Sequence, residues 1–268
     1  MTPKHCVTLL TDYGLEDGFV AACHGVIASI CPPARIIDIT HLVPPGDVRR
    51  GAAVMAQTVP YLPAGVHVAV IDPGVGTRRR AIALAARDRV FVGPDNGVLT
   101  WAAADESLRA YELTDRGLWL EPVSATFHGR DIFSPVAAHI AAGRDVATVG
   151  AEIDPAGLVR LPPPARDVRD GTAEGEVVTV DRFGNVQLSV TGADLDRIGA
   201  RYGEALTVTI GRHSQRVPYG ETFGSVPPGE LVAYTDASGQ VALAVNSGNA
   251  AHRLGLPPGA HVRLAIAK

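Results

Sequence analysis

Residues 70–84, VIDPGVGTRRRAIAL, place an acid, a glycine-rich turn and three basic side chains close together along the chain. An apolar run ends at Asp72, and Arg78, Arg79 and Arg80 follow the turn. Adjacent arginines are usually solvent-exposed, but a carboxylate beside a guanidinium can orient and stabilise an anionic nucleophile. We predict that the glycines let the turn fold back, so that one of the three arginines meets Asp72.

Further polar residues lie at the ends of other predicted strands or at the starts of predicted helices. They are Asp12, Asp17, Asp95 and Asn96 of GPDNG (93–97), and His128 of FHGRD (127–131). A helix cap, a turn or a structural histidine would explain each of them separately. In α/β proteins, however, ligands bind outside the carboxyl ends of the strands. Convergence on one rim of one sheet therefore favours a functional site, and the ordinary pKa of histidine suits His128 to proton exchange near neutral pH.

Familiar cofactor motifs are missing from the sequence. There is no GxxxxGKS or GxxxxGKT phosphate loop, no GxGxxG after the first strand, and no HExxH or CxxC pair. Cys6, Cys23 and Cys31 are odd in number and lack the spacing of metal ligands, so we expect buried free thiols in a reducing cytoplasm. Chemistry without a cofactor or metal, or simple binding, is the prediction that remains.

Composition limits the class of protein and of partner. The chain has 268 residues, 46% of them hydrophobic, and a formal charge of −4. This balance gives no support to nucleic-acid or membrane binding, because both usually require a concentrated basic face. The N-terminal residues lack the apolar region and cleavage site of a signal peptide, and no run approaches the roughly 20 apolar residues of a membrane span. We expect a cytoplasmic protein.

The pattern of predicted secondary structure differs between the two halves of the chain. Up to residue 150, strand patterns alternate with helical ones, which favours an α/β domain with a largely parallel central sheet. The predicted strands are 5–12, 34–40, 66–72, 81–86 and 89–93, and the predicted helices are 18–30, 47–59 (with Asp47 as N-cap) and 130–142. Residues 154–175 are rich in proline, glycine and charge and are typical of a linker.

Short strand-like runs without a convincing helix follow the linker and predict an antiparallel barrel or sandwich. These runs are 176–181, 186–190, 205–210, 230–235, 241–245 and 261–267. We therefore predict an N-terminal α/β domain (1–154) carrying the nucleophile site, a linker (155–173) and a C-terminal all-β domain (174–268). Within VDRFGNVQLSV (180–190), FGN predicts a turn, where the Asn185 amide suits a purine edge and Phe183 offers an aromatic face.

Seven segments in this order resemble the S-adenosyl-L-methionine (SAM) hydroxide adenosyltransferases, relatives of the fluorinase and chlorinase. The segments are TDYGLEDGFV, DITHLVPPGDVRRGA, VIDPGVGTRRRAIAL, VGPDNGVLTWA, TFHGRDIFSPVAAHIA, VDRFGNV and VALAVNSGNAA. The resemblance covers nearly the whole chain. It implies an N-terminal α/β domain, a C-terminal β-barrel domain that contributes adenine binding, and a homotrimer with sites shared between subunits.

The resemblance also implies roles for residues. The hydrolase branch carries an Asp–Arg–His set that falls on Asp72, Arg79 and His128, whereas the halogenating relatives do not keep it. Asp12 matches the acid that holds the ribose hydroxyls, and Asp17 matches the one near the methionine amine.

In the second domain, Asp181, Phe183 and Asn185 match a turn that faces the substrate. Phe223, Val245, Asn246 and Ser247 match residues that contact adenine. Ser238 matches a loop that holds methionine, in which Asp236-Ala237-Ser238-Gly239 replaces the usual Asn-Ser-aromatic-Gly.

The activity that the resemblance implies is hydrolysis of SAM to adenosine and L-methionine, by attack of water or hydroxide on ribose C5′. SAM is then the substrate, and no cofactor is expected. Two alternatives stay open: a halide-dependent transferase that makes 5′-chloro-5′-deoxyadenosine, and a protein that binds adenosine or SAM without turnover.

Overall fold

The computed structural model describes residues 5–105 and 107–267 and divides the chain into two compact units, 1–162 and 163–268. The division falls inside the segment predicted as a linker. No helix in the described part of the chain is long and apolar enough to cross a membrane.

In its described residues, the first unit contains seven strands and three α-helices. In chain order they are β1 (Cys6–Thr11), α1 (Phe19–Ile30), β2 (Arg35–Thr40), α2 (Val48–Thr58), β3 (Val66–Val70), β4 (Ala81–Ala86), β5 (Arg89–Pro94), β6 (Arg109–Glu112), α3 (Ser134–Ala141) and β7 (Glu152–Ile153). A π-helical turn, Gly129–Phe133, leads into α3. Asp47 caps α2 as predicted, because its side chain accepts a hydrogen bond from the Arg50 amide at 2.9 Å.

The seven strands form one mixed sheet in the order β2-β1-β3-β5-β4-β6-β7. Pairs β1–β2, β1–β3 and β3–β5 are parallel, whereas β4–β5, β4–β6 and β6–β7 are antiparallel. The expectation of a largely parallel sheet is therefore only partly right. Only Arg87 and Asp88 connect β4 to β5, and a connection this short can join only antiparallel strands. Arg87 takes the positive φ of 52° that such a turn favours.

Hydrophobic layers cover both faces of this sheet. Val7 and Leu9 of β1 point to the layer formed by α1 and α3, whereas Leu10 points to the layer that contains Met55 of α2. This alternation follows from the two-residue period of a strand. All three cysteines are buried free thiols, as predicted.

The second unit is built around one eight-stranded sheet. Its elements are β8 (Arg166–Arg169), β9 (Thr172–Val180), β10 (Val186–Thr191), α4 (Gly192–Arg197), β11 (Ala205–Ile210), β12 (His213–Pro218), β13 (Leu231–Thr235), β14 (Gln240–Val245), α5 (Ala250–Leu254) and β15 (His261–Ile266). The order is β12-β11-β15-β9-β10-β14-β13, all ladders are antiparallel, and β8 also pairs with β9. A bridge between Tyr219 and Ala233 links the two ends, so the sheet is a nearly closed barrel.

Two short helices correct the expectation that this region has none. Thr191 and Asp194 form a reciprocal capping box at the start of α4, and Asn249 caps α5 by accepting from the His252 amide at 2.7 Å. Helices of six and five residues are too short to show a clear hydrophobic period. Their capping residues are the signal that the sequence does contain.

Arg80, the third of the adjacent arginines, forms an ion pair inside the first unit. It donates to Asp95 from Nε at 2.9 Å and Nη2 at 2.5 Å, and it also donates to the Gly157 carbonyl at 2.6 Å. The other Asp95 oxygen accepts from the Val159 amide at 2.9 Å. Asp95 is therefore a buried anchor for residues 157–159 and does not offer its carboxylate at the sheet rim.

We expect Asp95→Ala to lower the free energy of unfolding of the protein by about 3 kcal/mol, because the buried carboxylate accepts from both Arg80 and the Val159 amide and hydrogen bonds to a charged group stabilise by about 1.5–3 kcal/mol each. Urea denaturation measures the change. Asp167→Ala is the control, because its ion pair with Arg169 is exposed, and it should leave the free energy of unfolding unchanged. Equal losses in the two variants would contradict this account.

Candidate active site

Asp72 and Arg79 meet His128 in the first unit, although His128 lies 49 residues beyond Arg79 in the sequence. Arg79 Nε lies 3.0 and 2.9 Å from the two carboxylate oxygens of Asp72, and Nη2 lies 2.5 Å from Oδ2. The same Nη2 atom lies 2.7 Å from Nδ1 of His128. Both charged side chains are largely buried, and the Arg79 guanidinium also stacks over the Phe133 ring. One arginine therefore bridges the acid and the imidazole.

The turn after β3 brings Arg79 back to Asp72. Two backbone hydrogen bonds stabilise this turn: the Val75 amide donates to the Asp72 carbonyl at 3.1 Å, and the Thr77 amide donates to the Gly74 carbonyl at 3.2 Å. Gly76 has φ +76° and lies against the Ala125 carbonyl so closely that a Cβ atom would clash with it. The glycine thus permits both the turn and its contact with the segment that leads to His128.

Arg79 determines the hydrogen-bonding role of His128. A guanidinium can only donate, so Nδ1 of His128 must accept and the neutral ring carries its proton on Nε2. Burial, followed by the positive charge of Arg79, lowers the pKa of His128 below its ordinary 6.5, while the negative charges of Asp72 and Asp131 oppose this shift. His128 is accordingly a neutral imidazole at pH 7, with Nε2–H as a hydrogen-bond donor.

Asp131 holds the segment that carries His128. Its fully buried carboxylate accepts from the Ser124 amide at 2.8 Å and from Arg130 Nε at 2.6 Å, and its carbonyl accepts from the Leu120 amide. The Arg130 guanidinium stacks over Phe127 at 4.9 Å from the ring centre. Arg130 and Asp131 thus fix the conformation of residues 120–131, the segment that contains His128.

A cavity of about 150 Å³ lies beside these residues. Asp72 and His128 line it together with Asp12, whose Oδ2 accepts from the Gly46 amide at 2.8 Å. Tyr13 also lines it and packs so closely on Gly129 that a side chain at that position would clash with the phenol oxygen. Burial raises the pKa of Tyr13 above its ordinary value, so the phenol stays protonated. Tyr13 directly follows Asp12 but was not among the site residues predicted from the sequence.

A larger pocket of about 910 Å³ lies in the second unit. Seven of the predicted binding residues line it: Asp181, Phe183, Asn185, Phe223, Val245, Asn246 and Ser247. Tyr234, Asp236 and Asn249 line it as well and were not selected from the sequence. Phe223 meets Tyr234 edge to face, with ring centres 6.0 Å apart. Exposed aromatic rings around a pocket of this size suit a nucleoside-sized ligand.

Asp181 organises the turn at the edge of this pocket. Its Oδ1 accepts from the Phe183 and Asn185 amides, both at 2.9 Å, and Oδ2 accepts from Asn185 Nδ2 at 2.7 Å. The predicted turn is therefore confirmed. The side-chain NH₂ of Asn185 is bonded within the turn, which leaves its carbonyl oxygen as the group best able to meet a ligand.

Two predicted residues lie outside both pocket linings. Asp17 is exposed before α1, whose N-cap is Gly18, so it does not cap the helix either. Ser238 lies in the turn after β13, where its amide donates to Asp236 Oδ1 at 2.8 Å. Their predicted roles near methionine stay predictions.

Fold and site together define a two-domain protein with an Asp–Arg–His site in its mixed α/β domain and an aromatic-lined pocket in its barrel domain. Family models described as the N-terminal and C-terminal domains of SAM hydroxide adenosyltransferase match residues 7–150 and 175–263. The chain belongs to this family.

Curated relatives and a solved structure agree with this membership. An (R)-S-adenosyl-L-methionine hydrolase of Salinispora tropica is 55% identical over 98% of this chain and 99% of its own. One of Thermus thermophilus is 42% identical, over 96% and 98%. A fluorinase of Nocardia brasiliensis is 29% identical, over 97% and 96%. The crystal structure of an uncharacterized conserved protein from Thermotoga maritima superposes with a TM-score of 0.90 at 34% identity, over 97% and 99% of the two chains.

We expect the pKa of His128 to respond in opposite directions to loss of its two charged neighbours. Arg79→Met removes a positive charge and should raise this pKa, whereas Asp72→Asn removes a negative charge and should lower it further. NMR titration of labelled histidine side chains measures both shifts. A wild-type value above 6.5, or shifts of equal sign, would contradict the described contacts.

Proposed function

We propose that this protein hydrolyses SAM to adenosine and L-methionine. The contact of Arg79 with both Asp72 and His128, beside a cavity that could hold a water molecule, is the observation that carries the proposal. Membership of the family and the two relatives named as hydrolases support the same reaction.

The reaction balances without a further reactant. The oxygen of water bonds to ribose C5′, the C5′–S bond breaks with its electron pair going to sulfur, and one proton leaves to the solvent. The sulfonium loses its positive charge as it becomes a thioether. A hydroxide-like nucleophile and a sulfonium therefore neutralise each other at the transition state, and a site that excludes bulk water favours this step. In-line positioning supplies about 7–11 kcal/mol at the upper end.

Asp72 and His128 position the nucleophile in this proposal. The Asp72 carboxylate accepts a hydrogen bond from the water, and Nε2–H of neutral His128 donates to its oxygen. Arg79 keeps the acceptor and the donor in place and offsets the developing negative charge. Since Arg79 already occupies His128 Nδ1, positioning is a better role for this imidazole than proton exchange through that atom.

Substrate binding is assigned to both units. Asp12 lines the small cavity and carries a carboxylate that suits a pair of ribose hydroxyls. In the barrel domain, Phe183, Phe223 and Tyr234 offer aromatic surface for adenine. The homotrimer implied by the resemblance and the cytoplasmic location expected from the composition stay predictions, and light scattering of the purified protein tests the first.

We expect Asp72→Asn, Arg79→Met and His128→Ala each to lower kcat for adenosine release by about 10²- to 10⁴-fold, because each removes a group that orients or stabilises the nucleophile. Chromatography of adenosine and methionine measures the rate. Arg78→Ala is the matched control, since this neighbouring arginine is exposed, and it should keep wild-type turnover.

The same assay separates the alternatives. Wild-type turnover in all three variants would overturn the assigned roles. Chloride-dependent formation of 5′-chloro-5′-deoxyadenosine would favour a halide-dependent transferase. Intact SAM after long incubation, together with tight adenosine binding, would favour a binding protein.

We expect Asp12→Asn to raise KM for SAM by about tenfold, because a hydrogen bond to a charged acceptor stabilises by roughly 1.5–3 kcal/mol and each 1.4 kcal/mol is a factor of ten. Steady-state kinetics measures it, with Asp167→Asn as a control on an exposed strand of the other unit. An unchanged KM in Asp12→Asn would contradict the ribose role.

A further inference from the structure

A cluster of two histidines and one acid lies apart from the residues that line either pocket. His24 belongs to α1, Asp38 to β2, and His41 directly follows β2. One potential ligand atom from each lies within 4.8 Å of the other two. Helix and strand bring together three residues whose spacing along the chain matches no common metal motif.

Asp38 Oδ1 lies between the two imidazoles. It is 2.8 Å from Nε2 of His24 and 3.1 Å from Nε2 of His41. Ligand atoms about 2 Å from a tetrahedral Zn²⁺ lie about 3.3 Å from one another. Asp38 Oδ1 is thus within about 0.5 Å of that separation from each imidazole nitrogen. The ligand atoms of the two imidazoles lie within 4.8 Å of each other, close enough for side-chain rotation to place all three atoms around one ion.

His41 supplies an independent sign that the cluster is incomplete. Its side chain is only 3% exposed, and its Nε2 atom has no hydrogen-bond partner among the described residues, since the approach to Asp38 lacks hydrogen-bond geometry. At the other side of the ring, Nδ1 lies 2.8 Å from Thr11 Oγ1. If Nδ1–H donates to Thr11, Nε2 directs a lone pair into the cluster. This is the tautomer and the outer contact that metal-bound histidines usually have.

We propose that His24, Asp38 and His41 bind a divalent transition-metal ion, for which Zn²⁺ is the best match. Two imidazole nitrogens and one carboxylate oxygen form a donor set that zinc prefers, and water would complete four-fold coordination. The ion has a path from solvent, because the side chains of His24 and Asp38 are 34% and 39% exposed.

Binding would join three parts of the first unit. The ion would link α1 to β2, and through His41 it would reach the end of β1, because Thr11 bonds the ring and the His41 carbonyl accepts from the Gly14 amide at 2.8 Å. Asp12 lies between Thr11 and Gly14, so the bound ion would stabilise the conformation of the loop that carries Asp12. A ligand that binds only the folded state raises thermal stability.

Calorimetric titration of the chelator-treated full chain with ZnCl₂ tests the proposal. We expect one Zn²⁺ per chain, binding at least tenfold weaker in His24→Ala and in Asp38→Asn, and a rise in the melting temperature with zinc that is lost in both variants. Thr11→Val, which removes the outer contact of His41, should weaken binding by about 10- to 100-fold. Circular dichroism without zinc confirms that each variant is folded.

Two control variants distinguish this cluster from other zinc ligands. His213→Ala changes an exposed histidine of β12, and His5→Ala changes the histidine whose Nδ1 lies 4.0 Å from the Cys31 thiol. Both should bind zinc as the wild type does, and Co²⁺ should give a spectrum without a thiolate charge-transfer band. Binding that is unchanged in His24→Ala and Asp38→Asn, or that is lost in His5→Ala, would overturn the proposal. Neither result depends on the proposed hydrolysis.

Discussion

The guanidinium of Arg79 is the interaction on which the active site depends. Its Nη2 atom donates to Asp72 and lies 2.7 Å from Nδ1 of His128, so one planar group fixes the separation of a carboxylate and an imidazole. It also determines the chemistry of both partners. Asp72 accepts its hydrogen bonds, and burial together with the charge of Arg79 keeps His128 neutral, with its proton on Nε2. A lysine, with a single point charge on a flexible stem, would not define this geometry.

Much of the first unit can be understood as support for that bridge. The parallel strands β1 and β3 end at Thr11 and Val70 in register, which places Asp12 and Asp72 at the same edge of the sheet. Gly76 allows the turn that carries Arg79 to pack against Ala125, a few residues before His128. The buried Asp131 carboxylate fixes the same segment by accepting a hydrogen bond from the Ser124 amide. The two arginines beside Arg79 have different environments. Arg80 forms an ion pair with Asp95, whereas Arg78 is exposed to solvent.

The sequence predicted elements and contacts that depend on local pattern. Buried strands, the Asp47 cap and the return of one arginine to Asp72 follow from apolar runs, capping chemistry and a glycine turn. The choice of Arg79 among the three arginines came from the resemblance. The direction of the strands was harder to predict from the sequence. β4 and β5 have similar apolar patterns, and only the two-residue connection Arg87-Asp88 indicates that they form an antiparallel hairpin. Tyr234 and the cluster of His24, Asp38 and His41 depend on tertiary packing, which no local period or spacing records. The site residues themselves were selected largely through the resemblance of seven ordered motifs.

Oxygen-18 water, with the protein in excess so that each chain turns over once, tests the central claim most directly. If the Asp72–Arg79–His128 site directs a water molecule at ribose C5′, the adenosine of this first turnover carries one oxygen-18 in its 5′-hydroxyl and the methionine carries none. Unlabelled adenosine in the first turnover would mean that a protein oxygen, such as the Asp72 carboxylate, attacks C5′. That result would contradict the account.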